Sequence, residues 1–276
     1  MSPTPRLLVV TPTLGRSRFL DRTRESVAGQ PLEITHLLCA PAPKCAELEE
    51  RYPGVRAVPD AGPQGGIYGA LNAALAAAPG AWEWFTYIND DDTLLPGFGE
   101  VCLRHWREAE PAPVVYGDVD LIDEAGRGLA RITVEPEASR IAALLQQGIS
   151  PLMQQGMLFH RRVVDCLRAF DVRYRLCADL DFWLRAYVAG FKFRYYPQRV
   201  AQFRLRAGQL SGSTAVTQRE QDEIVRRHLP VRASAAELRR ARWGFRWHNL
   251  PRYLERIRTR GFKRSYALLE TGAAKT

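Results

Sequence analysis

From Leu7 to Ile88 the chain alternates short apolar runs with helical segments, and few architectures accommodate that order. Leu7–Thr11, Ile34–Cys39 and Trp84–Ile88 have the length and the β-branched or aromatic content of buried strands. Between them, the segment from Ser17 to Val27 places Phe19, Leu20, Thr23 and Val27 at helical spacing. The stretch from Cys45 to Arg51 reads as a second helix, and that from Ile67 to Ala78 as an Ala- and Leu-rich helix stopped by Pro79-Gly80. This alternation predicts an α/β fold, a mainly parallel sheet with helices on both faces. Downstream, the runs 114–116, 131–134, 156–160, 193–196 and 200–203 read as further strands, and 138–147, 178–188 and 218–228 as helices.

The 276 residues suffice for one large domain or two small ones with a sizeable core. A chain that is 46% apolar and 25% charged is not disordered as a whole. No apolar run approaches the ~18 residues of a membrane span, and the start lacks the charged-then-apolar order of a signal peptide. Five cysteines, Cys39, Cys45, Cys102, Cys166 and Cys177, form no CxxC pair. That argues against a zinc site or disulfide framework and for a reduced, cytoplasmic setting. Between Arg219 and Arg264 stand 14 Lys or Arg against five Asp or Glu, which accounts for the whole net charge of +9. A neutral body over 1–215 followed by a basic helical tail over 216–276 is the expected division.

The segment 84–92 is the richest in chemistry. An apolar strand ends in Asn89-Asp90-Asp91-Asp92, one amide and three carboxylates. Ligands of open parallel sheets bind beyond the carboxyl ends of strands, and carboxylate oxygens suit a hard cation such as Mg2+ or Mn2+. One cation held at Asp91, with a neighbour on a ligand hydroxyl, is one reading. The other is a turn in which Asp92 or Thr93 caps a helix starting near Leu94. A second acidic pair, Asp179 and Asp181, stands in a predicted helix. Asp179 is a general base if it faces a cleft, with Asp181 left to pair with Arg185; both are otherwise solvated first-turn acids. The loop 59–66, with Asp60, Gly62, Pro63, Gly65 and Gly66, runs into a helix and lets backbone N–H groups approach a phosphate, yet it matches neither the P-loop nor GxGxxG.

In their order these segments resemble glycosyltransferase family 2 on a GT-A fold, a Rossmann-like mixed, mainly parallel sheet flanked by helices. Val9-Val10-Thr11-Pro12-Thr13 resembles the family's first strand and nucleotide-contacting turn, with Arg16 just beyond. Asp60, Gly66-Ile67-Tyr68 and Asn72 are similar to its D-x-G-I-Y-x-A-x-N segment. Asn89-Asp90-Asp91-Asp92 stands where the family has its metal-binding DxD element. Tyr116-Gly117-Asp118 with Asp123-Glu124-Ala125-Gly126 resembles the next strand and turn. Gln155-Gly156-Met157-Leu158-Phe159 is similar to a stretch often reading H-Q-x-x-F-F, and the segment 179–185 to the one holding the general base. Phe203-Arg204-Leu205 before Gly208 and Ser211 resembles the closing strand and loop.

The resemblance implies an inverting, metal-dependent enzyme that moves a sugar from a nucleotide-sugar to an acceptor hydroxyl. It implies Asp179 as the base that takes the hydroxyl proton, and Asp91 and Asp92 as ligands of Mn2+ or Mg2+. It implies donor contacts from Thr11, Pro12, Thr13, Arg16, Asp60, Gly66, Tyr68, Asn72, Asn89 and Asp90. A carbohydrate or lipid-linked acceptor, in polysaccharide, lipopolysaccharide or glycolipid assembly, goes with it. The chain departs from the pattern at Leu38–Pro43, which lacks the carboxylate of the usual D-G-x-S-x-D, and at Gly69, Ala73 and Gln154. Two other readings are a nucleotidyltransferase, for which Thr13-Leu14-Gly15-Arg16 is a short loop, and a basic nucleic-acid-binding protein. In the tail, Pro251 predicts two helices rather than one. Its mixture of Trp243, Phe245, Trp247 and Tyr253 with arginines suits either an anionic membrane surface, on the inner face of the membrane, or packing on the body.

Overall fold

In a computed structural model the chain is described over residues 6–62, 64–206, 209 and 214–260. Pro63 of the Gly-Pro loop, Gly208 and Ser211 of the closing loop, and Lys263 and Arg264 of the tail lie outside these residues. Strand β1 (Leu7–Pro12) is buried at every position and pairs in parallel with β2 (Ile34–Ala40) and β4 (Trp84–Tyr87). β2 pairs in parallel with β3 (Arg56–Pro59). A strand between parallel neighbours and covered on both faces has no polar side to offer, which accounts for the unbroken run Leu7–Val10.

Beyond β4 the sheet becomes mixed. β8 (Leu158–His160) is antiparallel to both β4 and β6 (Val114–Ile122). β9 (Phe193–Arg204) runs parallel to β6, and β5 (Thr93–Leu94) pairs antiparallel with β9. The order is β3-β2-β1-β4-β8-β6-β9-β5, with β7 (Gly128–Arg131) in a hairpin on β6. Side chains alternate between two apolar layers, as the period of a strand requires. Leu8 and Val10 join Leu71 of α3 (Gly66–Ala77), Val163 of α6 (Arg161–Leu167) and Phe182 of α7 (Ala178–Val188). Leu7 and Val9 join Val27 of α1 (Leu20–Ala28) and Phe98 of α4 (Pro96–His105). Leu48 of α2 (Ala42–Arg51) packs with Leu20 and Leu38.

Several expected elements shift. α1 begins at Leu20 because Ser17 lies outside it, its hydroxyl donating to the Asp90 carbonyl at 2.9 Å. The alternative reading of the acidic turn, in which Asp92 or Thr93 caps a helix, does not hold. Thr93 is in β5, α4 starts at Pro96, and its N-cap Leu95 makes no side-chain cap. The predicted strands 193–196 and 200–203 are one strand, β9, and the strand expected at 131–134 lies at β7 instead. The helix expected over 138–147 is a 3-10 turn (Ala138–Arg140) followed by α5 (Ile141–Leu145). β3 and α6 were not foreseen. Only Val58 of β3 is buried, too little apolar signal for a four-residue strand. Gly156, just before β8, has φ of 75°, and a Cβ there would lie 2.6 Å from Val200 Cγ2, so both backbone and space call for glycine.

The tail forms α8 (Thr214–His228), α9 (Ala235–His248) and α10 (Leu250–Arg260), with the expected break ahead of Pro251. Proline is tolerated in α10's first turn, where its missing N–H has no intrahelical partner to lose. Ser234 and Glu237 close a capping box on α9. Ile224 of α8 is buried in the α3–α7 layer, and Ala241 and Phe245 of α9 pack on Ala143 and Leu144 of α5. Asn249 donates to the Val134 carbonyl at 2.9 Å, and the Arg252 guanidinium of α10 reaches buried Asp118 of β6.

Candidate active site

The end of β4 carries the acidic turn, and each of its acids is held differently. The Asp90 carboxylate accepts from the Thr13 hydroxyl at 2.6 Å, which joins the turn after β1 to the turn after β4. Burial raises the Asp90 pKa; the Thr13 bond opposes that, and the Asp91 charge adds to it. Asp91 Oδ2 accepts from Arg206 Nε at 2.5 Å, and its backbone oxygen accepts from Arg204 Nε at 2.9 Å. Asp92 is fully buried. Its Oδ1 accepts from the Arg204 backbone N–H at 2.9 Å, and its Oδ2 from Gln155 at 3.1 Å and Asn89 at 3.3 Å. Burial first, and then the Asp91 charge, push the Asp92 pKa up to about 8, against the pull of those donors.

Arg204 organises this end of the sheet. Besides the Asp91 carbonyl, it donates to the carbonyls of Asp123 at 3.0 Å and Glu124 at 3.2 Å, and its guanidinium lies 4.5 Å from the Phe19 ring centre. The β6–β7 turn is thereby fixed beside the acids, and Glu124 pairs with Arg18 across the rim.

Asp179 stands in the first turn of α7, half-buried. Its Oδ1 accepts from the Tyr68 hydroxyl of α3 at 3.0 Å and from the Leu180 N–H at 2.8 Å. Burial raises its pKa, the two donors oppose the rise, and the Glu220 charge adds to it. Glu220 of α8 accepts the backbone N–H groups of Arg175, Leu176 and Cys177, each at 2.9 Å, and so fixes the turn that leads into α7. Asp181 is buried between Arg185 and His228, 2.7 Å from each, the first of them the expected partner. Tyr87, the last residue of β4, and Tyr68 of α3 both pack against the Phe170 ring, each with ring centres 5.8 Å apart. Burial raises the Tyr87 pKa, and the charges of Asp179 and Asp92 add to the rise.

The structure thus brings Thr13, Asn89, Asp90, Asp91 and Asp92 together at one strand end, and Tyr68 to Asp179 beside them. Asp60 follows β3 and accepts from the Gly62 N–H at 2.9 Å, shaping the loop toward α3, where Gly66 has φ of 57°. Arg16 is exposed. Thr11 and Asn72 are engaged within the fold. Thr11 shares a hydrogen bond with His36 at 2.9 Å, and the Asn72 amide bonds the Phe170 backbone in both directions at 2.9 Å. Pro12 is buried as the last residue of β1. Sequence reasoning assigned no site role to Arg204, Arg206, Gln155, Glu220 or Tyr87. The one signal available was the Arg-x-Arg pair closing an apolar strand.

Among the described residues no three His, Cys, Asp or Glu side chains form a ready metal cage. A hard divalent ion needs no such cage, since one or two carboxylates suffice when substrate phosphates supply further oxygens. Asp91 fits that role. Its carboxylate, 12% exposed, already holds a cationic group, the Arg206 guanidinium.

The sequence profile of Glycosyl transferase family 2 matches residues 8–168. No curated protein sequence matches the chain. Among solved structures, S. aureus TarS 1-349 with UDP-GlcNAc is similar over 93% of this chain and 75% of its own, at 17% identity and a TM-score of 0.62. The mannosyltransferase PcManGT from Pyrobaculum calidifontis, with GDP-Man and Mn2+, is similar over 99% and 81%, at 16% identity and a TM-score of 0.59. Glucosyl-3-phosphoglycerate synthase from Mycobacterium tuberculosis, with Mg2+ and UDP, is similar over 83% and 81%, at 16% identity and a TM-score of 0.51. With its acids gathered at the end of a buried parallel strand, its mixed sheet and a family profile matched over more than half its length, the chain belongs to glycosyltransferase family 2 and is a glycosyltransferase of GT-A fold.

Proposed function

We propose that the protein is an inverting transferase that moves a hexosyl or related sugar from a nucleotide-sugar to an acceptor hydroxyl, on a carbohydrate or a lipid-linked glycan. The observation that carries this reading is the placement of Asp179. Its carboxylate is anchored by Tyr68, whose ring packs on Phe170 together with that of Tyr87, the residue at the end of β4 that leads to the acidic turn. An attacking hydroxyl gives up its proton as its oxygen bonds the anomeric carbon. Asp179 takes that proton on a carboxylate oxygen, and the upward shift that burial gives its pKa makes it a better proton acceptor.

Asp91 holds Mn2+ or Mg2+ in this reading, with Asp92 close behind it in the turn. The bound ion supplies positive charge for the departing diphosphate. Thr13, Asn89 and Asp90 keep the two turns in register around the donor, and the loop from Asp60 to Gly66 offers backbone N–H groups to it. TarS with UDP-GlcNAc and PcManGT with GDP-Man and Mn2+ support a donor of this chemical class. Polysaccharide, lipopolysaccharide or glycolipid assembly suits such a product.

Asp179→Asn keeps the shape of the side chain and removes the proton acceptor. It should lower kcat by at least ~100-fold, the scale of a lost general base, while nucleotide affinity stays near wild type. Unchanged turnover in this variant would refute the assignment.

A further inference from the structure

The tail helices are bound to the body by one face only. Ala241, Phe245, Asn249 and Arg252 are buried on that side. The other side presents Trp243 and Trp247, 69% and 77% exposed, four residues apart on α9. Leu250, Leu254 and Ile257 follow at four- and three-residue steps on α10 and are exposed as well. Spacings of three and four residues set these side chains on one face of each helix. Arg239, Arg240 and Arg246 lie four before, three before and three after Trp243, so they share its face, and all three are exposed. Clustered exposed apolar side chains rimmed by polar residues mark an interaction surface.

We propose that this face is a docking surface for a bilayer containing anionic phospholipids, on which α9 and α10 lie in the plane of the interface. Charge complementarity selects this occupant. The net charge of +9 resides in the segment that carries the face, and guanidinium groups beside indole rings meet phosphate headgroups while the rings stay at headgroup depth. A second copy seated on the same face would bring the arginines of both copies together. A nucleic acid would meet the arginines but leave Leu250, Leu254 and Ile257 in water. α10 also packs on β7, the strand that leaves the turn held by Arg204, so the docking helix adjoins the hairpin at the acidic turn. The proposal does not depend on sugar transfer, and its test reads no catalysis.

The test is flotation of the full chain with phosphatidylglycerol-containing vesicles and with pure phosphatidylcholine vesicles. The chain should float with the anionic vesicles, with tryptophan emission moving to shorter wavelength, and should stay behind with the neutral ones. Binding should weaken strongly between about 0.1 M and about 1 M salt, as the Debye length falls from ~10 Å to ~3 Å. Trp243→Ser with Trp247→Ser should lower the bound fraction at least about tenfold with an unchanged melting midpoint, because both rings are exposed in the fold. Leu254→Gln on α10 should weaken binding independently. Failure to float, equal flotation with both vesicles, or flotation unaffected by the Trp pair would overturn the proposal. A dimer that the Trp pair abolishes, or salt-dependent DNA binding, in a chain that does not float would overturn it in favour of a second copy or a nucleic acid.

Discussion

Two residues beside Asp179 pull its proton affinity in opposite directions. The Tyr68 hydroxyl bonds the ionised carboxylate and lowers its pKa; the Glu220 charge raises it. With Asp179 as the proposed base, the deprotonated form is the active one, and activity should fall as pH drops through the Asp179 pKa. Tyr68→Phe removes the stabilising donor and should move the acid limb of the kcat/KM profile to higher pH, with the larger loss at the acid end. Glu220→Gln removes the like charge and should move that limb to lower pH. It also presents an amide N–H to one of the backbone donors now held by the carboxylate, so kcat should fall across the profile through a loosened turn. A limb that stays put in both variants would show that another group governs it. At the other half of the site, Asp91→Ala should abolish transfer while leaving the fold intact. Excess EDTA should do the same to the wild type, reversed by Mn2+ or Mg2+; full activity in EDTA would remove Asp91 from its role.

At the scale of elements, the site depends on helices and strands distant in sequence. α7 carries Asp179, but α8 sets its position through Glu220 at its N-terminal turn and His228 on Asp181. β4 carries the acidic turn, but Arg204 at the end of β9 closes it. Arg204→Met keeps an unbranched apolar stem and removes donors to three carbonyls, those of Asp91, Asp123 and Glu124. The Asp91 carbonyl is buried, and leaving a buried acceptor unsatisfied costs about 1–3 kcal/mol. The variant should therefore lower the urea midpoint and weaken donor binding together. A variant of wild-type stability would show that the turn holds its shape without Arg204.

At the scale of the molecule, the tail is fastened through Arg252, which reaches Asp118 and Tyr195 beneath α10. Removing one partner of a buried ion pair strands the other, at a cost of about 3–5 kcal/mol. Asp118 also accepts from the Tyr195 hydroxyl at 2.7 Å and lies 4.0 Å from the Arg131 guanidinium. Arg252→Met should lower the unfolding free energy by about 3–5 kcal/mol, measured in urea, and an unchanged midpoint would show that Asp118 is satisfied by Tyr195 and Arg131 alone. What the sequence determined by itself is the half of the fold built from local pattern. The central parallel strands, α1, α3 and α7, and the acidic turn after β4 were all legible, because strand and helix periods and a carboxylate run are properties of neighbours in the chain. The family resemblance added Asp179, which its own segment could not distinguish from a solvated helix acid. Tertiary structure alone decided the rest. Burial and the partners Arg204, Gln155 and Asn89 made Asp92 an enclosed acid instead of a helix cap, and the Phe170 backbone took both ends of the Asn72 amide. It also decided the tail, where Phe245 turns inward while Trp243 and Trp247 face out. Periodicity shows that residues share a face, but which face is covered depends on what the rest of the chain brings against it.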